Sequence, residues 1–239
     1  VARLHGLDKV PEIAPLSRIV EGADDEPFHA EALCRTHLVG LGLTETMNYS
    51  FMSSRLLDLF LSPDDPVRVT LPNPVSADHG LMRPMLVPQM AETLGRNLAR
   101  QVGEAAFFEM GTVFRRDARG GIEERKRLSL GLMGAVGRTA IEPRESVEIR
   151  ESYLWLKGVV ESLLQATAVP EVEFEPCRRS YYAPGCAAEV RSGNGSVGEI
   201  GALSDAVRHH WRMQEAVTVA ELELAPLLRR AFHEPTLEP

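Results

Sequence analysis

Apolar residues repeat at helical spacing in three segments of the chain. The first segment follows Pro27 and ends near the glycines at positions 40 and 42. The second covers residues 84–100, where the prolines fall near the start, a position that a helix tolerates. The third covers residues 153–166. The spacing predicts three amphipathic helices, each with one buried face.

Other segments alternate between apolar and polar residues or are rich in Val, Thr and aromatics, a pattern typical of strands. Ser53 is suited to cap a short helix that reaches residue 61, and a last helix is predicted over residues 225–232. The charged segment 115–127 is predicted to be a long solvated hairpin loop, and residues 192–195 a tight turn. The predicted strands cover residues 44–52, 67–71, 105–114, 128–136, 172–176, 187–191, 197–203 and 217–224.

Strands joined mostly by hairpins, with helices between groups of strands, predict an α+β fold with a central, mainly antiparallel sheet flanked by helices. A chain of 239 residues that is 44% hydrophobic can bury a sizeable core. No apolar run approaches the roughly 20 residues that span a membrane. The net charge of −8 gives no general attraction for polyphosphates, so an RNA-binding module would depend on the basic residues within 115–127.

The three cysteines are scattered and form no CxxC pair, which predicts neither a disulfide scaffold nor a zinc site. A reducing, cytoplasmic location is therefore expected. Cys34 falls on the apolar face of the first helix and is interpreted as a core residue. His209 and His210 are adjacent and point in different directions, which favours a solvated pair over a metal site. The glycines of residues 193–201 separate two strands, so they are assigned to a hairpin and not to a phosphate loop.

Several charged residues are candidates for chemistry. Arg83, Arg115 and Arg116 could clamp phosphate or carboxylate groups, but surface or subunit-interface arginines are the favoured interpretation. Glu109 lies on an otherwise apolar strand. It could hold magnesium with other glutamates, or it could be a buried or interface-paired carboxylate. The other glutamates considered as magnesium ligands are Glu104, Glu123 and Glu124.

A series of short motifs follows along the chain, namely Asn73-Pro74-Val75-Ser76, Leu81-Met82-Arg83-Pro84, Phe108-Glu109-Met110-Gly111, Leu156-Lys157-Gly158 and Pro184-Gly185. Together these motifs resemble the beta subunit of bacterial-type phenylalanyl-tRNA synthetase, in the part that is similar to a class II synthetase core. The opening residues 1–6, with Val10-Pro11, resemble the end of the preceding domain of that subunit, so the expected division is a tail and linker at 1–22 and a core module at 23–239.

The resemblance implies a class II aminoacyl-tRNA synthetase-like fold within an enzyme of two alpha and two beta subunits. The alpha subunit of that family charges tRNA with phenylalanine, using ATP and magnesium. The matching beta module is catalytically silent and packs against alpha, so no catalytic residue, cofactor or metal ligand is expected in this chain. The residues expected at the subunit interface are Asn73, Pro74, Arg83, Arg96, Asn97 and Glu109.

The hairpin formed by 105–116 and 128–136 resembles motif 2 of class II synthetases, where an arginine contacts ATP and a glutamate follows on the return strand. Arg115 and Arg116 are present, but the return strand 128–134 carries no carboxylate. The late segment 221–226 lacks the glycines and the arginine of motif 3. These absences favour a degenerate site. The alternative is a stand-alone ATP-dependent ligase that uses Arg115 or Arg116 on the nucleotide.

Overall fold

Two β-sheets, six α-helices and one short 3-10 helix (Ala77–His79) make up the part of the chain that the computed structural model describes, which is residue 6 and residues 26–136, 148–193 and 195–228. The helices are α1 (Glu26–Gly40), α2 (Ser54–Leu57), α3 (Val87–Leu98), α4 (Ile149–Ala166), α5 (Asp205–His210) and α6 (Leu224–Leu228). The strands are β1 (Thr44–Glu45), β2 (Phe51–Met52), β3 (Val69–Thr70), β4 (Leu81–Met82), β5 (Ala105–Arg116), β6 (Ile122–Met133), β7 (Val172–Pro176), β8 (Tyr182–Ser192), β9 (Gly195–Leu203) and β10 (Val217–Glu223).

The larger sheet has seven strands in the order β1-β5-β6-β10-β9-β8-β7. Every neighbouring pair is antiparallel except β1 and β5, which run parallel. The smaller sheet has the order β2-β4-β3 and is antiparallel. The predicted α+β fold with a central, mainly antiparallel sheet flanked by helices is confirmed.

Helices cover both faces of the large sheet. On one face, α1, α4 and α6 pack over a core that includes Phe108 and Leu130 from the sheet and Leu156 from α4. On the other face, α3 and the small sheet bury a second core. Gly131 on β6 lies under Met90 of α3, where a Cβ atom would stand only 2.6 Å from the Met90 Cγ. Glycine at this position therefore allows α3 to pack closely on the sheet.

The helix predictions hold, with shifted ends. α3 begins at Val87 with Pro88 in its first turn, and α4 begins at Ile149, four residues before the predicted start. Ser53 is the predicted cap, and its side chain accepts a hydrogen bond from the Leu56 amide at 3.2 Å. Among the described helices, none is long and apolar enough to cross a bilayer.

Two predictions about strands are wrong. The segment 44–52 is two short strands in different sheets, β1 beside β5 and β2 beside β4. The charged segment 115–127 is mostly strand, because β5 continues to Arg116 and β6 begins at Ile122. Cross-strand ladder bonds satisfy this charged backbone, and only residues 117–121 turn. The predicted tail 1–22 lies outside the described residues apart from residue 6, and the last predicted helix is described only to Leu228.

Candidate functional site

A cleft of about 570 Å³ opens on the face of the large sheet that carries α3. Side chains of Phe60, Leu61, Pro84, Tyr181 and Tyr182 form its apolar part. Its charged lining contains equal numbers of arginines and glutamates, namely Arg115, Arg125, Arg127, Arg179, Glu189, Glu199, Glu221 and Glu223.

Five glutamates lie side by side across the large sheet. They occupy directly opposed positions on neighbouring strands, so they share one face of the sheet. We call this set the glutamate row. From β5 to β7, passing through Ser129 on β6, the row reads Glu109, Glu221, Glu199, Glu189 and Glu175. Like charges at directly opposed positions repel each other, so the row is stable only if other groups compensate the charge.

Arginines compensate the whole row. Each glutamate has its own guanidinium partner, except that the last two share one. Guanidinium groups suit this role because they remain charged and present several donors to a carboxylate. The pairs are Arg83–Glu109 at 2.6 Å, Arg127–Glu221 at 2.7 Å, Arg179–Glu199, and Arg191 with Glu189 at 3.3 Å and with Glu175 at 3.7 Å.

Glu221 is held more completely than the other glutamates that line the cleft. Its Oε2 accepts hydrogen bonds from the backbone amides of Leu86 at 2.7 Å and Val87 at 3.0 Å, at the N-terminal end of α3. Its Oε1 accepts from Arg127 Nη1 at 2.7 Å. Burial alone would lower the pKa of Arg127, but the charges and hydrogen bonds of Glu221 and Glu223 outweigh it and raise that pKa. The chain's own carboxylates therefore saturate the strongest anion-binding groups of the cleft.

The two arginines of the degenerate motif 2-like hairpin lie in different surroundings. Arg115 lines the cleft, and its Nε is buried without a hydrogen-bond partner among the described residues. Arg116 is exposed and donates to the carbonyl oxygen of Gly120 at 3.2 Å. The return strand begins earlier than predicted, at Ile122, and this added part carries carboxylates, with Glu123 opposite Arg115 on β6. Glu123 is about half exposed and pairs with Arg125 at 2.8 Å.

Arg83 and Glu109 form a buried ion pair, with side chains that are 4% and 2% exposed. Arg83 Nε also donates to the carbonyl oxygen of Thr112 at 2.8 Å. Glu109 accepts from the Asn48 backbone amide at 3.2 Å and from Asn48 Nδ2 at 2.7 Å. Gln89 donates to the carbonyl oxygens of residues 49 and 51 at 2.7 and 3.0 Å. The pair thus fixes the segment 48–51 against β5 and α3, and offers little surface of its own.

The other residues expected at an interface lie nearer the surface. Asn73 and Pro74 are exposed in the loop before β4, and Asn97 is half-buried. Arg96 is exposed and donates to Asn48 Oδ1 at 3.3 Å and to Thr93 Oγ1 at 3.1 Å. Arg96 is therefore joined through Asn48 to the network around Arg83 and Glu109.

A group of exposed apolar side chains covers the segment that this network holds. Met47 is 95% exposed, Tyr49 75% and Phe51 40%. We call these three residues the 47–51 patch. The His79 ring contacts the Tyr49 and Phe51 rings edge-on, at centroid distances of 5.9 and 6.4 Å. Sequence reasoning assigned this segment to a single strand and so missed the patch, although three large apolar residues at alternate positions were the available signal.

The other residues that the sequence suggested for metal or phosphate binding do not form a common site in the described part of the chain. Within the described residues, no three His, Cys, Asp or Glu side chains are grouped to hold a metal ion. His210 packs edge-on against Trp211, and the glycines after position 192 lie in the β8–β9 hairpin. Cys34 is buried in the core as predicted, and burial raises the pKa of its thiol to about 11.

Comparison with known proteins identifies a matching family and solved structures of similar fold. The family model described as "Phenylalanyl tRNA synthetase beta chain CLM domain" matches residues 10–224. A phenylalanine–tRNA ligase beta subunit from Xanthomonas campestris pv. campestris (strain 8004) is 34% identical over 234 residues, covering 97% of this chain and 29% of that protein. The corresponding subunit from Symbiobacterium thermophilum is 32% identical over 242 residues, covering 100% of this chain and 27% of that protein. The chain thus spans less than a third of the length of these relatives.

Among solved structures, two of pyrrolysyl-tRNA synthetase from Desulfitobacterium hafniense match 84% of this chain with a TM-score of 0.66. They are 19% and 20% identical and are covered over 65% and 68% of their lengths. At this identity the likeness establishes a shared fold and nothing more. It agrees with the expected class II aminoacyl-tRNA synthetase-like architecture.

Proposed function

Because this chain belongs to the phenylalanyl-tRNA synthetase beta chain family, we propose that it is a non-catalytic core module that packs against a catalytic alpha subunit. In this proposal the complete enzyme contains two alpha and two beta subunits in the cytoplasm and charges tRNA with phenylalanine. ATP and magnesium act at the alpha subunit. The chain's own contribution is structural.

The observation that carries the non-catalytic role is the occupation of the cleft by the chain's own charges. Phosphate chemistry depends on donors that are free to bind the developing charge of the substrate. Arg127 and the first amides of α3 are already bound to Glu221, and Arg179 is bound to Glu199. The residues present therefore do not fit a nucleotide phosphate. The stand-alone ligase is correspondingly disfavoured, since the buried guanidinium groups of the cleft that lack a partner among the described residues are the single Nε–H groups of Arg115 and Arg127.

The proposed contact surface combines the 47–51 patch with Asn73, Pro74, Arg96 and Asn97. Large exposed apolar side chains are typical of interface cores, and exposed polar residues are typical of interface rims. The buried pair of Arg83 and Glu109 holds the patch in place from behind. In this proposal, Arg83 and Glu109 support the interface from below and do not themselves lie in it.

Binding of the alpha subunit from the same source, measured by analytical ultracentrifugation, tests this proposal. We expect a defined complex, and we expect Met47→Ser/Tyr49→Ser to weaken it about tenfold or more, the usual effect of removing central apolar anchors. The matched control is Leu154→Ser on α4, which removes a side chain that is 53% exposed on another surface. Absence of a complex with the unmodified chain, or equal weakening by both variants, would contradict the proposal.

The charged rim is tested separately by Arg96→Glu, with Arg100→Glu as the control because Arg100 is exposed on the turn after α3. We expect only the first variant to weaken the complex. An RNA-binding role would instead require that the chain alone binds RNA with a strong salt dependence. Weak, salt-insensitive binding would exclude that role.

A further inference from the structure

The carboxylate of Glu221 is bound in the manner of an external anion. It accepts two backbone amides, from Leu86 and Val87, and a guanidinium donor from Arg127, all within 3.0 Å. The residue is only 7% exposed. The amides at a helix start together with an arginine form a recurrent arrangement for binding carboxylates and phosphates. Here the arrangement is complete, and its ligand is a side chain of the same chain.

The three donor groups are held in place by contacts that do not involve the Glu221 carboxylate. Leu86 is fully buried and Val87 is 1% exposed, so their amides belong to a packed segment. Arg127 is also paired with Glu223, which holds the guanidinium at the cleft. On the other side of β10, Gly198 packs against the Glu221 backbone so closely that an added Cβ would overlap the Glu221 carbonyl oxygen. Shortening the Glu221 side chain therefore leaves a space lined by three N–H donors.

We propose that Glu221 is a built-in carboxylate ligand that fills an anion site of the chain and thereby closes the cleft to free carboxylates. The ligand class of the underlying site is a small monoanionic carboxylate, because the groups that bind it are two amides and one guanidinium. This inference deepens the proposed non-catalytic role, but it rests on contacts within this chain. Its failure would leave the association with an alpha subunit unaffected, so the two proposals are separable.

Chemical rescue with sodium formate tests the inference. Glu221→Ala is expected to lower the thermal midpoint of the chain, and formate, which matches the removed carboxylate in size, is expected to restore part of it. A concentration about ten times the dissociation constant raises Tm by roughly 3–5 °C for a chain of this size. Sodium chloride at equal ionic strength is the reference for every variant.

Three control proteins separate the site from general salt effects. The unmodified chain is expected to gain nothing specific from formate, because its site is full. Glu221→Gln removes the charge but still fills the space, so it is expected to lose stability without rescue. Glu223→Ala removes the other partner of Arg127 and leaves the amides of α3 occupied, so it also shows no rescue.

Equal formate effects on Glu221→Ala and on the three controls would overturn the inference. If Glu221→Ala does not fold in chloride, the yield of folded protein on refolding in formate replaces Tm as the measurement. Recovery of folded protein in formate but not in chloride would then support the inference, and equal failure in both salts would contradict it. Separately, nuclear magnetic resonance of the unmodified chain should show no shift of the Leu86 and Val87 amides with formate, whereas shifts there would refute a filled site.

Discussion

Replacing Arg83 by methionine tests the buried ion pair that supports the 47–51 patch. Methionine keeps much of the length of the arginine stem but removes the guanidinium that lies 2.6 Å from Glu109. Glu109 then remains buried as an uncompensated carboxylate, because its side chain is 2% exposed and, among the described residues, only the two donors of Asn48 remain. Removing one partner of a buried pair costs about 3–5 kcal/mol, so we expect a loss of that size in the free energy of unfolding.

The double variant Arg83→Met/Glu109→Gln distinguishes this cause from lost packing. Glutamine is neutral and its side-chain oxygen can still accept from Asn48, so the uncompensated charge is gone. We expect the double variant to recover about 2 kcal/mol or more relative to Arg83→Met, a coupling typical of residues in direct contact. Urea unfolding followed by fluorescence of the two tryptophans gives both values, provided that the slopes agree.

Two results would refute this reasoning. A loss below about 1 kcal/mol for Arg83→Met would mean that water reaches Glu109, since a solvated carboxylate carries no such penalty. A double variant as unstable as the sum of its single variants would mean that the two residues act independently. The same protein preparations also serve for the alpha-subunit binding assay, where Arg83→Met is expected to weaken binding by loosening residues 48–51.

Further predictions concern glycine packing and cysteine ionisation. Gly198→Ala should lower the free energy of unfolding by about 1–3 kcal/mol in urea titrations, because its Cβ would meet the backbone of β10; no loss would contradict that packing. Gly158→Ala, where a Cβ meets nothing within 4 Å in the exposed part of α4, should instead stabilise the chain by about 0.5–1 kcal/mol, and destabilisation would argue against a regular helix there. Since burial raises the pKa of the Cys34 thiol from 9.0 to about 11, the folded state holds that proton more tightly, and this contribution to stability falls as pH rises from about 9 to 11. A thiol-reactive dye at pH 8 should accordingly label Cys34 only after unfolding, while the half-buried Cys186 reacts in the native state; equal rates would refute the burial.

The sequence predicts where the helices and strands lie better than it predicts which strands pair with each other. β5 and β7 were located because each is an apolar or alternating run that begins after the helical spacing of apolar residues ends. The first half of β6 was missed because Glu123 to Arg127 is charged throughout, and only its pairing with β5 makes it a strand. The segment 44–52 was predicted to be one continuous strand because Thr, Tyr and Phe favour strands wherever they occur, although a non-strand connection divides it.

The site was less predictable, because it depends on register. Glu109 was noticed as unusual on an apolar strand, and its pairing with Arg83 confirms the interpretation of a buried, paired carboxylate. In the sequence, nothing distinguishes Glu221 from any other charged residue of a late strand. Its role follows from its position opposite Glu199 and next to the start of α3, and neither neighbour is visible in the linear sequence. The assignment of an interface and the domain boundary at residue 22 stay predictions.

The most direct test of a non-catalytic role is ATP–pyrophosphate exchange with phenylalanine, ATP and magnesium, measured on the chain alone and on its mixture with the alpha subunit. We expect no exchange above the protein-free blank for the chain alone, and exchange once the alpha subunit is present. Exchange by the chain alone that is lost on Arg115→Ala or Arg116→Ala would contradict a structural role and would establish this chain as a ligase in its own right.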